Sequence, residues 1–268
     1  MQAPNIDPVL IALGPLQIRW YGFMYVIGFV IGNQLLKVLV KEKFLRVPIE
    51  KVDSLVTHVL IFMFIGARSA YVFIYNWDYY GNNLSELLAV YKGGLSFHGA
   101  VAGMAFGVWL FARKNKVPFL QVVDACVIAG TQGVFFGRMG NFINHELWGR
   151  KTDMPWGMVF SDPSAGPLPR HPSQLYEAFL EGIVLFLILW LTRKKLKFYG
   201  TAGAIFFSVY GVFRFIVEFF READAQLGYY FGGLLTMGQI LCILQIILGL
   251  ALYFYAKKNS EKLVITRA

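Results

Sequence analysis

Charge is scarce in this chain. Asp, Glu, Lys and Arg make up only 15% of its 268 residues, against about a quarter in an ordinary soluble domain. That shortage excludes a conventional water-facing surface. The alternative follows from what replaces it: 57% of the residues are hydrophobic, in runs close to the roughly 20 residues needed to cross a bilayer. Cysteine is nearly absent. Cys126 and Cys242 both sit inside apolar runs, which argues against a disulfide framework or a metal site and for small packing residues. The sequence has no Gly-rich phosphate loop ending in Lys-Ser/Thr, no His-Glu-x-x-His zinc helix and no Gly-x-Ser-x-Gly elbow. Internal repeats and low-complexity tracts are missing too. The first apolar run has neither a basic leader nor an Ala-x-Ala-like cleavage site, so no cleaved signal peptide is expected.

What is present reads as an all-α, polytopic membrane protein forming a single integral membrane domain over residues 1–268. Seven spans are expected, at about 19–38, 54–75, 95–112, 119–138, 174–192, 200–220 and 235–256. The connections are short except at 139–173. That stretch carries Pro155, Pro163, Gly166, Pro167, Pro169 and Pro172 and predicts a small head outside the membrane.

The net charge of +9 invites a nucleic-acid reading, but the basic residues lie in loops between apolar runs, so no nucleic-acid partner is expected. Lys37, Lys41, Lys43, Arg46 and Lys51 follow the first span. Arg113, Lys114 and Lys116 follow the third, Arg193, Lys194, Lys195 and Lys197 the fifth, and Lys257, Lys258, Lys262 and Arg267 the seventh. The positive-inside rule then puts the C-terminus in the cytoplasm, and the N-terminus, the loop 76–94 and the head outside. Glycines at four-residue spacing predict close helix packing: Gly28 and Gly32; Gly99, Gly103 and Gly107; and Gly130, Gly133, Gly137 and Gly140 as one face of the fourth span.

Nine basic residues oppose the charge rule: Arg19, Arg68, Lys92, Arg138, Arg150, Lys151, Arg170, Arg214 and Arg221. As a group they suggest an anionic ligand at the outer face, and in a membrane a phospholipid headgroup is the obvious candidate. The densest polar stretch is Gly137-Arg-Met-Gly-Asn-Phe-Ile-Asn-His-Glu-Leu-Trp-Gly149. Arg138, Asn141, Asn144, His145 and Glu146 would each cost several kcal/mol at membrane depth, about 2.5–3.5 on insertion scales for the charged ones, so their clustering points to a site.

Tyr210, Arg214 and Glu218 recur every four residues and share a helix face. Arg214 and Glu218 could be a self-neutralising pair, or the carboxylate could hold the guanidinium toward a phosphate, which Arg binds bidentately. His98, in Gly93-Gly94-Leu-Ser-Phe-His98-Gly99, could be structural or an acid–base group. Tyr21, in Trp20-Tyr21-Gly22, fits an interface-belt aromatic. Arg170-His-Pro-Ser-Gln-Leu-Tyr-Glu177 contains a Pro-Ser helix start.

Together these motifs, with Tyr210-Gly211-x-x-Arg214-x-x-x-Glu218-Phe219-Phe220-Arg221 and Met237-Gly238-Gln239, resemble the bacterial prolipoprotein diacylglyceryl transferase family along nearly the whole chain. The resemblance implies transfer of the diacylglyceryl group of phosphatidylglycerol to the lipobox cysteine of preprolipoprotein signal peptides, in the bacterial cytoplasmic (inner) membrane with the site toward the outer face. A thioether forms and glycerol phosphate leaves. It implicates His98, Arg138, Arg214 and Tyr21 as catalytic, and Asn141, Glu146, Gly149, Tyr210 and Glu218 as substrate-binding. In that scheme Arg138 and Arg214 hold the phosphate, Glu146 and Glu218 orient the arginines, and His98 takes the thiol proton. Beyond membrane lipid and the two substrates, no metal or soluble cofactor is implied. His145 departs from the family pattern, where a small residue, often Gly, is expected. A transporter or flippase, a non-catalytic precursor chaperone and a different phospholipid-consuming transferase are the competing readings.

Overall fold

In lipid, a backbone amide has no water to bond, so apolar runs satisfy their own hydrogen bonds as helices. The computed structural model, which describes residues 1–14, 16–89, 93–222, 229–230 and 234–259, is mainly helical for this reason. Lys92, Lys262 and Arg267 lie outside the described residues.

A short antiparallel ribbon, β1 (Val9–Leu13) and β2 (Leu16–Arg19), leads directly into α1 (Trp20–Lys41). Then follow α2 (Lys51–Ala70), a π turn over Tyr71–Tyr75, α3 (Trp77–Tyr80), α4 (Phe97–Lys114), α5 (Phe119–Gly130) and α6 (Gln132–Ile143). After the head come α7 (Ser173–Glu177), a π segment over Ala178–Val184, α8 (Leu185–Thr192) and α9 (Thr201–Glu218). A second ribbon, β3 (Tyr229–Tyr230) with β4 (Leu235–Thr236), precedes α10 (Met237–Lys258).

Five helical stretches are long and apolar enough to cross a membrane: Trp20–Lys41, Lys51–Tyr75, Ser173–Lys195, Thr201–Glu218 and Met237–Lys258. A sixth is obtained if α5 and α6, bent by 42° where they meet, form one broken span. Their outward faces carry Val26, Val30, Ile61, Phe64, Leu244 and Ile247 rather than charge, as a lipid-facing surface requires. The protein is thus a multi-pass membrane protein.

Among the described residues the chain divides into two compact units, one of Leu36–Ala125 and the other of Met1–Leu35 with the described residues after Ala125, and the divisions fall inside α1 and α5. In Leu36–Ala125, α2 and α4 lie backbone to backbone. A Cβ on Gly103 would strike the Phe62 carbonyl and come within 3.2 Å of the Gly66 Cα, and one on Gly107 would sit 2.7 Å from the His58 carbonyl. Ser96 caps α4 by accepting the Gly99 amide at 3.2 Å. Arg68, buried, spends its guanidinium on the carbonyls of Glu86, Leu87, Gly93 and Gly94 at 2.8–3.0 Å, tying the loop after α3 to α2.

In the other unit, α1 meets α5 and α6 at Gly28 and Gly32: a Cβ on Gly28 would lie 3.4 Å from the Gly133 Cα, and Gln132 Nε2 donates to the Gly28 carbonyl at 2.8 Å. Gly211 and Gly249 let α9 approach α10 beside the buried Cys242. The head has its own small core of Ala3, Phe142, Phe160 and Ala165, and the Ala3 amide donates to the Val159 carbonyl at 2.9 Å.

Two boundaries differ from expectation. Helix α6 runs to Ile143, so Asn141 belongs to a helix and the head starts beyond it, not at 139. Gly130, Gly133, Gly137 and Gly140 do not form one face, because the bend separates Gly130, at the end of α5, from the other three on α6.

The packing predicts a contrast between glycines. Gly103→Leu should lower stability in detergent by at least about 1–3 kcal/mol, the range for overpacking. Gly130→Ala, where an added Cβ meets nothing within 4 Å, should leave the melting temperature unchanged. Thermal unfolding of the two purified variants checks this.

Candidate functional site

The site is assembled from α6, α7 with its π continuation, α9 and the start of α10, all in one unit. Three glycines permit the approach. A Cβ on Gly182 would fall 2.6–2.7 Å from the Phe135 backbone, one on Gly140 would be 2.9 Å from the Tyr21 ring, and one on Gly238 would be 2.5 Å from the Glu218 carboxylate. The π segment therefore lies directly on α6, and the preceding turn points Glu177 at Arg138.

Glu177 is 1% exposed and takes two arginines. Arg138 Nε stands 2.5 Å from one carboxylate oxygen and Arg221 Nη1 2.7 Å from the other. The chain of charges continues through Arg221 Nε to Glu218 at 3.5 Å, and from Glu218 to Arg214 Nη1 at 2.7 Å. Thr236, the residue that caps α10 through a reciprocal box with Gln239, donates its hydroxyl to the other Glu218 oxygen at 3.0 Å. The arginine side chains keep 16–21% of their surface accessible, while the paired carboxylates keep 1–8%. The anions form a buried rear wall and the guanidinium groups a front, which is the arrangement for receiving a further anion.

Arg138 also points Nη1 at Asn141 Oδ1, 3.5 Å away, and the Asn141 amide donates to Glu146 at 2.7 Å, where Asn144 joins at 3.3 Å. Glu146 thus influences Arg138 through Asn141, and the carboxylate paired with Arg138 is that of Glu177. Gln174 donates to the Glu146 carbonyl at 2.7 Å and Ser173 to the Leu147 carbonyl at 3.0 Å. The Pro-Ser start of α7 is where the sequence puts it, but its hydroxyl anchors the signature loop.

Tyr21 packs on Gly140 and meets the Tyr25 hydroxyl at 3.1 Å. Tyr210, one turn before Arg214, stacks on Phe206 at 5.4 Å. Gly149 donates its amide to the His171 carbonyl at 2.9 Å, and a Cβ there would hit Phe220 and His171. His98 belongs to the other unit, exposed on the first turn of α4.

This set of side chains reads as an anion site within membrane helices, and comparison with known proteins gives it a family. The family model described as prolipoprotein diacylglyceryl transferase matches residues 8–255. The chain belongs to the prolipoprotein diacylglyceryl transferase family. It is 49% identical over 247 residues to the phosphatidylglycerol–prolipoprotein diacylglyceryl transferase of Nitratidesulfovibrio vulgaris strain DP4, covering 92% of this chain and 93% of that one. It is 47% identical over 259 residues to the enzyme of the same name from Oleidesulfovibrio alaskensis (97% and 96% covered), and 46% over 261 residues to that of Pseudomonas aeruginosa PAO1 (96% of each). It is therefore a transferase enzyme.

Not every arginine flagged in the sequence joins the ion-pair row of this diacylglyceryl transferase family member. Arg68 holds carbonyls in the other unit. Arg170 is buried over the Trp148 ring, 4.0 Å from its centroid, pairs with Glu222 at 2.9 Å and donates to the Ala165 carbonyl at 2.7 Å. Arg150 donates to the Arg221 carbonyl at 2.6 Å. His145 has φ 57°, in the left-handed region, which accounts for the small residue expected there. Its Nδ1 accepts the Ser161 amide at 3.0 Å, so its Nε2 carries the proton given to the Pro4 carbonyl at 2.9 Å. In the head, burial pushes the His171 imidazole below its ordinary range, and bonds from Ser164 lower Asp162.

Sequence reasoning gave Ser173 only a helix-start role and assigned none to Glu177, Gln174, Glu181 or Thr236. The available signal was a carboxylate at 177 and another one turn later at 181, both in a predicted span. Since removing one partner of a buried ion pair strands the other, Glu177→Gln should destabilise the protein by about 3–5 kcal/mol. Thermal unfolding of the variant in detergent measures this, and an unchanged melting temperature would show that the two arginines do not depend on Glu177.

Proposed function

We propose that this chain transfers the diacylglyceryl group of phosphatidylglycerol to the lipobox cysteine of preprolipoproteins in the bacterial cytoplasmic membrane. The cysteine sulfur bonds to the glycerol carbon as that carbon's bond to the phosphate oxygen breaks. Glycerol phosphate leaves with the bonding electrons, and the thiol proton passes to a base. The observation that carries this reading is the row of three arginines with buried carboxylates behind them. It suits a phosphodiester whose charge grows as it departs, because preorganised donors in a low-dielectric site act most strongly where charge develops. The names of the relatives, which specify phosphatidylglycerol and a prolipoprotein, support the substrates.

Arg138 and Arg214 grip the phosphate. Glu177 and Glu218 hold them in place, and Asn141 and Glu146 steady Arg138 from its other side. Tyr210 and Tyr21 flank the lipid, and Gly149 keeps the signature loop tight against the segment after α9. His98 is the base for the thiol, an assignment supported by its motif and by an imidazole's suitability for proton transfer near neutral pH. The whole chain acts as one domain with seven spans, counting α5 with α6 as one and the more polar α4 as another. The N-terminus and the head face outward and the C-terminus is cytoplasmic, a topology supported by the loop lysines and arginines.

The direct test uses purified protein in liposomes with phosphatidylglycerol and a lipobox peptide, read by mass spectrometry beside a Cys→Ser peptide. A diacylglyceryl adduct on the cysteine peptide alone, with glycerol phosphate released, is the expected result. Bound lipid and peptide without adduct would overturn the reading. In the same assay Arg214→Lys should lose about 100-fold or more, because an ammonium cannot reproduce the fork. Near-normal turnover would remove Arg214 from the phosphate. His98→Gln should also fall by about 100-fold or more, and substantial residual activity would dismiss the base assignment.

A further inference from the structure

Glu181 lies one helical turn beyond Glu177, within the π segment, and is 0% exposed. Among the described residues no ion pair reaches its carboxylate. The charged and titratable groups facing it are Glu177 on its own segment, Arg138 on α6, and Arg214 and Tyr210 on α9. The Tyr210 hydroxyl is its hydrogen-bonding neighbour. A buried carboxyl in a membrane helix, close to the site but in no ion pair, has no structural task that a neutral Gln would not perform better.

The ion-pair row supplies a task. Arg138, Arg214 and Arg221 carry three positive charges, and Glu177 and Glu218 carry two negative ones. With Glu181 ionised the row and its neighbour are neutral and offer no net attraction to an anion. With Glu181 protonated they carry one positive charge, matching one phosphodiester. We propose that Glu181 is a positioning residue whose carboxyl takes up a proton when the phospholipid phosphate binds, so that the buried site stays electrically balanced. It touches no reacting atom and acts through the arginines. This rests on the transferase reading above.

The sign follows from linkage: binding that takes up one proton weakens as pH rises. At saturating peptide, the KM for phosphatidylglycerol of the wild type should be constant at low pH. It should then climb by about tenfold per pH unit once Glu181 is ionised in the free site. Glu181→Gln, a permanent mimic of the neutral acid, should hold the low-pH KM across the range from about pH 5.5 to about pH 8.5. Glu181→Asp, which still titrates, should keep a sloping profile. A wild-type KM that is flat with pH would overturn the proposal without any variant, so it is testable even if Glu181→Gln does not accumulate. A Glu181→Gln profile that slopes like the wild type, or a folded Glu181→Gln protein with no adduct at any pH, would also overturn it. Failure of the transferase reading looks different, because the wild type itself would then yield no adduct.

Discussion

Everything near the site depends on one buried carboxylate. Glu177 has almost no contact with solvent, and its charge is tolerable only because two guanidinium groups, from α6 and from the segment just after α9, each take one of its oxygens. That single side chain therefore fixes the spacing between two helices that are distant in sequence. Its own position is set by backbone geometry. The π segment that follows shifts the helix register, and the missing side chain of Gly182 lets the segment lie on Phe135. Single π insertions inside α-helices are often found at functional sites because they re-aim side chains in this way.

The arginines divide by what they face. Arg68 and Arg170 are buried and mostly occupied by carbonyls, so they act as brackets for loops: one gathers the segment after α3, the other ties the head to the signature. Arg138, Arg214 and Arg221 are backed by carboxylates and remain partly open. The same residue type thus serves two ends, and the difference lies in the acceptor behind it. A carbonyl can satisfy a guanidinium's hydrogens without neutralising it. A carboxylate can do both, holding the fork rigid while leaving its outer edge for a ligand.

The multi-pass helical character was legible because hydrophobic run length can be read directly from the sequence. Five of the expected spans fall within a few residues of helices long and apolar enough to cross a membrane, the stretch 95–112 is the helix α4, which is not among those five, and the Pro-Ser start of α7 is where the sequence marks it. The break between α5 and α6 was not legible: the run of apolar residues continues through Thr131, and the bend is a matter of packing. The two small ribbons were hidden as well, since strands of two to five residues carry little pattern. In the site, Arg214 and Glu218 could be paired from their four-residue spacing. The partners of Arg138 could not, because Glu177 is 39 positions away and local spacing carries no information about tertiary ion pairs. Gly238 shows the converse. A bare glycine in an apolar helix start gave no hint that its role is to leave room for a carboxylate from another helix.

The signature's departure at His145 shows what that stretch constrains. After α6 ends, His145 and Leu147 both adopt left-handed φ angles near 57°, each costing roughly 1–2 kcal/mol for a residue with a Cβ. The paired kinks turn the chain back on itself, so that Glu146 between them returns its carboxylate to Asn141 on the helix just left. A glycine at 145 would meet this backbone demand at no steric cost. Histidine meets it differently: both ring nitrogens are engaged, one by Ser161 and the other by Pro4, and the ring edge packs on Phe160. At about 1 kcal/mol per hydrogen bond, those contacts offset the strain and add a clasp between the N-terminal segment and the head. What the position requires is the left-handed turn that aims Glu146, and a small side chain is only the simplest way to supply it.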